Sequence, residues 1–223
     1  MTIYKLQKRM WPGTTDVSGK YWEVAMSWAE GECLTKYLKK DTEMLEWGCG
    51  GSTIKFASEV KSIDSIEHQL EWYNNIKDIV PSNVSLYHVP PNDINLRDKI
   101  LDKSAFIAQK PCIERNNKIR IENDILFREC RDGKDWHEYI NYINFPETLN
   151  KKYDVILIDG RARVMCAVKA LSLLKENGVV MVHDFKGDRV IGGRWYYQGI
   201  LNYYDEIDSG GSLSVLKPKN NLS

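Results

Sequence analysis

The sequence has no excess of charge of either sign. Lys+Arg and Asp+Glu each total 31 in 223 residues, so the formal net charge is zero. That balance removes the usual electrostatic argument for a nucleic-acid or anionic-membrane partner, leaving only a local basic patch as a route to either. Long apolar runs are also missing; none approaches the roughly 20 residues that a membrane-spanning helix needs. The stretch MTIYKLQKRMWPG has charge but no apolar run after it, so a secretory signal is not expected there. A cytoplasmic protein with no membrane partner is the expectation. The five cysteines (Cys33, Cys49, Cys112, Cys130, Cys166) make an odd set without a C-x-x-C pair. That disfavours a disulfide framework or a zinc knuckle and points to reduced, mostly buried thiols. Internal repeats, low-complexity tracts and Pro/Gly/Ser-rich linkers are absent too.

What is present is enough apolar residue, 43% of the chain, for one well-buried domain spanning 1–223. Short apolar runs alternate with helix-period segments, the pattern of an α/β sheet protein. The clearest strands are Glu43–Trp47, Ser62–Glu67, Val84–Val89, Tyr153–Ile158 and Val179–Val182. Helices are expected over Ser52–Val60, Gln69–Val80 and Ala162–Glu176, the last stopped by Gly178, with right-handed crossovers in a mostly parallel sheet. Residues 1–40 read as an N-terminal helical cap with an amphipathic helix from Tyr21 to Lys40. Residues 91–152 are too long for a plain crossover, so they are expected to hold one or two helices and to serve as an inserted lid or oligomer contact. Ile200–Ile207 and Ser212–Leu216, separated by Asp208-Ser209-Gly210-Gly211, read as a terminal hairpin.

The most informative segment is Glu46-Trp47-Gly48-Cys49-Gly50-Gly51-Ser52-Thr53, where strand, glycine turn and helix start follow without a spacer. Glycines there let the chain turn sharply and let a ligand approach the backbone, while Ser52 or Thr53 can cap the helix. A G-x-G-x-x-G dinucleotide fingerprint would need glycine at position 53, which is Thr53. Glu46, just before the turn, would repel a pyrophosphate and attract an ammonium. Glu67, ending the second strand, is placed to accept both hydroxyls of a ribose. The ligand implied has a ribose, a cationic amino-acid end and no pyrophosphate.

E-x-G-x-G followed by an acidic end to the second strand resembles motifs I and II of the class I S-adenosylmethionine (SAM)-dependent methyltransferases. The resemblance covers about residues 42–73 and 153–216. Within that superfamily EWGCGGST, IEHQLEWY, DVILIDGRAR and GVVMVHDF resemble small-molecule or sugar O-methyltransferases. It implies a Rossmann-like α/β fold: a mostly parallel seven-stranded sheet with a C-terminal antiparallel hairpin and helices on both faces. By the same resemblance Glu46, Gly48, Gly50, Ser52 and Thr53 would hold the methionine part of SAM. Glu67 would take the ribose, His68 would lie beside the adenine, and Asp159 would join the cofactor site. Aromatic and polar residues of 136–142 are candidates for the adenine amino group or for simple packing.

Methyl transfer from a sulfonium is an in-line displacement, so acceptor, methyl and sulfur must be aligned and the acceptor made more nucleophilic. Asp159, His183 and Asp184 end the fourth and fifth strands, where an acceptor would sit. Asp159 and Asp184 resemble two metal-ligand positions of magnesium-dependent O-methyltransferases. However, Arg161 stands where those enzymes carry a second acid, and His183-Asp184 replaces an Asp-Asp pair. Two mechanisms stay open. In one, Asp159 and Asp184 hold Mg2+ or Mn2+ with His183 as base or third ligand; in the other, His183 is the base without metal. His183 as a structural residue is the third possibility, and His88 and His137 read as structural. Arg161 and Arg163 could clamp an acidic acceptor or cap nearby carboxylates. The loop 185–197, with Trp11 and Trp22, is expected to shape the acceptor pocket. The expected function is transfer of a methyl group to a hydroxyl of a sugar, glycan or other small molecule, with a homo-oligomer compatible. An RNA or protein methyltransferase is the alternative, and a non-catalytic SAM- or nucleotide-binding module is the non-enzymatic one.

Overall fold

The apolar runs pair edge to edge in one seven-stranded sheet. The computed structural model of the chain describes residues 10–92, 136–186, 190–191, 194–195 and 197–220. Cys112, Cys130, most of the 91–152 connection, the side chain of His137 and much of the 185–197 loop lie outside the described residues. In chain order come β1 (Thr14–Thr15), β2 (Tyr21–Trp22), α1 (Trp28–Thr35), β3 (Glu43–Trp47), α2 (Gly51–Ala57), β4 (Ser62–Glu67), α3 (Leu70–Ile76) and β5 (Val84–His88). A 3-10 turn (Trp136–Tyr139), α4 (Ile140–Asn144) and a second 3-10 turn (Phe145–Leu149) precede β6 (Tyr153–Ile158). Then follow α5 (Arg163–Ala170), β7 (Leu174–Val182), the two-residue strands β8 (Val190–Ile191) and β9 (Arg194–Trp195), β10 (Tyr204–Gly210) and β11 (Leu213–Pro218).

The sheet order is β10-β11-β7-β6-β3-β4-β5. Strands β3 to β7 run parallel, and β11 runs antiparallel to both β7 and β10. The chain leaves β3 toward β4 and β5, then returns to β6 on β3's other side. This reversal opens a crevice at the carboxyl ends of β3 and β6, where open α/β sheets bind their ligands. Side-chain alternation along the same strands builds two cores. Leu45, Trp47, Ile156, Ile158, Val180 and Val182 face α4 and α5. Met44, Ile63, Val155, Leu157, Val179 and Met181 face α1 and α2. Burial on both faces is why β6 and the end of β7 are continuous apolar runs.

Three elements differ from the sequence expectation. Tyr21 and Trp22 belong to a hairpin, not to a helix reaching Lys40. Asp16 Oδ1 accepts from Ser18 N (2.7 Å) and Lys20 N (3.1 Å), and its Oδ2 accepts from Trp22 Nε1 (2.6 Å). Those local bonds close the hairpin and so outcompete helical periodicity. The helix instead starts after Ser27, in the S-x-x-E segment Ser27–Glu30, where Ser27 N donates to Glu30 Oε2 at 2.6 Å. Second, α5 ends at Ala170, and Leu174–Glu176 lie in β7 with Gly178 inside the strand. A side chain at Gly178 would come within 2.9 Å of Tyr153 O, beside a register shift between Tyr153 and Val155. Third, the terminal hairpin is displaced toward the C-terminus: 198–202 form a 3-10 turn, and Asp208-Ser209-Gly210 stay in β10.

Leu157 is fully buried in the α1/α2-side core. Its replacement by alanine is expected to lower the free energy of urea unfolding by roughly 2–5 kcal/mol. A loss within measurement error would contradict the two-core layering.

Candidate active site

Gly48 ends β3 with φ 99°, a left-handed backbone that favours glycine. An added Cβ there would come 2.7 Å from Gly160 N, so the turns after β3 and β6 touch through their backbones. Gly51 is needed for a different reason: a Cβ would meet Glu23 O at 2.0 Å, where the segment after β2 crosses the turn. Gly50 is extended and has open space at its Cβ position.

Glu46 is wholly buried on the α2 side of β3. It accepts from Ser52 Oγ (2.8 Å), Thr53 Oγ1 (2.6 Å) and Ser65 Oγ (2.7 Å). Thr53 Oγ1 in turn accepts from Gly50 N at 3.0 Å. Ser52 and Thr53 therefore turn inward to Glu46, and Gly50 occupies the helix N-cap. The polar side chains of the turn hold its shape from beneath. Burial pushes the Glu46 carboxyl up to about 7, partly offset by the three hydroxyl donors.

Glu67 sits at the end of β4, 3% exposed. It accepts from Cys49 N at 2.9 Å through Oε2 and from Gln69 N at 2.7 Å through Oε1, with His68 Nδ1 2.9 Å from Oε1. Burial opposes its ionisation, but His68 and the two backbone N–H groups outweigh that and hold the carboxyl below its ordinary value. A cavity opens against it, lined by Gly48, Cys49, His68, Gln69, Trp72, Asp159 and Arg161, among others. His68 stands edge-on to Tyr139 (5.5 Å) and Tyr142 (5.6 Å), so the 136–142 segment does reach this side of the sheet. Trp47 Nε1 anchors that segment by donating to Tyr142 O at 3.1 Å.

At the ends of β6 and β7 the structure gathers Asp159, His183 and Asp184, each offering a ligand atom within 4.8 Å of the others. His183 Nδ1 is 2.9 Å from Asp159 Oδ1, and its Nε2 is buried, 3.6 Å from Glu30 Oε2. Burial disfavours the imidazolium, yet the surrounding carboxylates, Asp159 foremost, raise His183 to about 10. Glu30 belongs to α1 and also accepts from Ser212 N (2.8 Å) and Ser27 N. Despite burial, these donors and His183 hold its carboxyl well below the usual range. Arg163, 2% exposed, places NH2 3.1 Å from Asp159 Oδ1 and 3.5 Å from Asp184 Oδ2. Ala162 (φ 51°) and Asp184 (φ 55°) both hold left-handed backbone in these turns. Such conformations cost energy and gather at functional sites.

The sequence-derived candidates thus divide into two neighbouring groups joined by Asp159. Glu30 escaped sequence reasoning because its partners are 153 to 182 residues away; its only local signature is the capping box. Trp72, 45% exposed on the cavity wall, lies within the segment read only as the helix Gln69–Val80. Trp22 packs with Ile54 and Ile76, and Trp11 stacks near Trp28 at 4.9 Å, so neither lines the described cavity. His88 packs on Tyr73 at 5.3 Å.

No protein-family model matches the chain, and no curated protein matches it in sequence. Solved structures do. A methyltransferase-like protein from Silicibacter pomeroyi superposes with TM-score 0.54 at 18% identity, covering 90% of this chain and 92% of that one. An rRNA methylase from Streptococcus thermophilus gives TM-score 0.47 at 9% identity, over 84% and 93% of the two chains. A TehB-like SAM-dependent methyltransferase from Corynebacterium glutamicum gives 0.44 at 11%, over 86% and 88%. The Silicibacter match and the strand order establish a Rossmann-like fold of the class I methyltransferase type. No helix among the described residues is long and apolar enough to cross a membrane.

The burial of Glu46 has a measurable consequence. Its carboxyl is raised in the folded state, from 4.5 to about 7, so its contribution to stability is full below about pH 4.5 and is lost as pH rises through 7. Glu46→Gln is expected to remove that loss, so wild-type stability should fall relative to the variant's as pH rises from 5 to 7. Parallel curves across that window in chemical denaturation would contradict it.

Proposed function

We propose that the chain is a SAM-dependent methyltransferase acting on a hydroxyl of a sugar or other small molecule. The observation that carries this reading is Glu67, a carboxylate at the end of β4 on the wall of a cavity that continues past Gly48 to Asp159. Two of its lone-pair directions are taken by Cys49 N and Gln69 N. His68 Nδ1 lies 2.9 Å from Oε1 as well; an ionised carboxylate accepts at about four, so Oε2 keeps room for one ribose hydroxyl and the second would take the place of His68 on Oε1. The close approach of Gly48 and Gly160 keeps the cavity floor free of side chains, which suits a ligand laid against the backbone. His68 and Trp72 flank Glu67 with flat surfaces for a base. Glu46 acts on such a ligand through the turn it braces, since it is wholly buried beneath that turn and bonded to three hydroxyls.

SAM, when bound, would supply a methyl group on a positively charged sulfur, which departs as a neutral thioether. The chain's part is to orient the acceptor and take its proton. His183 is poorly disposed to be that base: its Nε2 is buried toward Glu30, and at neutral pH it carries a proton already. Asp159 lines the cavity and is the better candidate, with His183 and Arg163 holding its carboxylate in place. The Mg2+ or Mn2+ implied by the resemblance would need Asp159 and Asp184 as ligands, with His183. Those residues do not fit a divalent ion, because the Arg163 guanidinium already lies between the two carboxylates. No step is therefore assigned to a metal.

Two measurements test this reading. Titration calorimetry should detect SAM binding and no NAD binding. Glu67→Ala should weaken SAM by about 10- to 150-fold, the equivalent of one hydrogen bond to a charged group; unchanged affinity would place the nucleoside elsewhere. With labelled SAM and a panel of sugar and small-molecule hydroxyl acceptors, Asp159→Asn should lower turnover by roughly 100-fold or more. Its effect on SAM affinity should be much smaller. Full turnover in that variant would remove Asp159 as the proton acceptor.

A further inference from the structure

The strongest feature left over is the buried guanidinium under the acceptor side. Arg163 is the first residue of α5, and the left-handed Ala162 before it turns the side chain back beneath the strand ends. Every arm of the guanidinium is engaged. Nε donates to Gly160 O at 3.1 Å, NH1 to His183 O, and NH2 to Asp159 O at 2.9 Å as well as to Asp159 Oδ1 at 3.1 Å. NH2 also lies 3.5 Å from Asp184 Oδ2, and the Tyr197 ring covers the guanidinium carbon at 5.4 Å.

A divalent ion bridging Asp159 and Asp184 would occupy the neighbourhood of NH2. It would meet a fixed positive charge there, and Asp159 Oδ1 already accepts from both Arg163 and His183. To admit the ion, the guanidinium would have to abandon three carbonyls, that of His183 buried and those of Asp159 and Gly160 partly buried, and each stranded polar group costs free energy. We infer that Arg163 is the resident cation of this site: it holds the Asp159 and Asp184 side chains together, and the site takes no divalent metal. Arg163 is then a positioning residue, since it lies beneath the two carboxylates and is itself out of reach from the cavity. The inference rests on the acceptor side of the proposed site and is independent of whether SAM binds.

Mn2+ alone is a suitable probe, because its free aqua ion gives an electron paramagnetic resonance signal that falls on binding, and carboxylate sites accept it. The protein, with and without SAM, is expected to leave that signal at its buffer intensity at millimolar Mn2+. Arg163→Met should gain an equivalent of bound Mn2+ and lose it again when Asp184→Asn is added. A purely structural arginine would not produce that gain. Uptake of one Mn2+ by the wild type that disappears in Asp159→Asn would overturn the inference. So would a folded Arg163→Met protein that takes up none. Where Arg163→Met does not fold, the wild type and Asp159→Asn decide alone. Calorimetry with SAM on the same samples reports separately on the cofactor reading.

Discussion

The candidate site depends first on a carboxylate removed from water. Glu46 would be costly to bury alone, but three hydroxyls converge on it from α2 and β4. The bonds run in both directions through the fold. Ser65 ties β3 to β4, and Ser52 and Thr53 tie the helix start to the strand end, with Gly50 N held by Thr53. The turn between β3 and α2 is therefore braced from below by side chains, while its upper side presents backbone and glycine. A ligand-facing surface made of main chain is possible because the polar groups that shape it point the other way.

On the acceptor side the same economy of space gives a different result. Glu30, His183, Asp159, Arg163 and Asp184 form an alternating chain of opposite charges, with successive neighbours 2.9 to 3.6 Å apart. Buried charges persist in that form because each has an opposite partner, and removing one member leaves the next exposed to the full desolvation cost. The chain crosses the molecule. Glu30 comes from the N-terminal helix and is fastened to Ser212 in the β10–β11 turn, so both ends of the described fold meet at the strand ends. The outward carboxylates, Asp159 and Asp184, are the part of this network that meets solvent, each about one quarter exposed.

Much of this was legible before any coordinates. The strands Glu43–Trp47, Ser62–Glu67 and Tyr153–Ile158 match their expected bounds residue for residue, because turn residues or charge flank each apolar run. The glycine turn and the acid at the end of β4 were equally plain, since both follow from spacing along one strand–turn–helix unit. What sequence could not supply were distances between remote segments. Nothing local distinguishes Arg163 from Arg161, yet one is buried under the strand ends and the other lines the cavity. From its position His183 read as a base, a third metal ligand or a structural residue, and only its carboxylate neighbours Glu30, Asp159 and Asp184 turn it into a held cation. Helical periodicity also misled where local hydrogen bonds were stronger, as around Asp16, or where a strand could pair, as at Leu174–Glu176.

The central claim is spatial: the nucleoside of SAM lies against the β3 turn with its ribose on Glu67. A crystal structure of the protein with S-adenosylhomocysteine tests it most directly. The account predicts both ribose hydroxyls within hydrogen-bonding distance of the Glu67 carboxylate and the base between His68 and Trp72. Density for the nucleoside at any other place on the molecule, with the Glu67 cavity filled only by water, would contradict it.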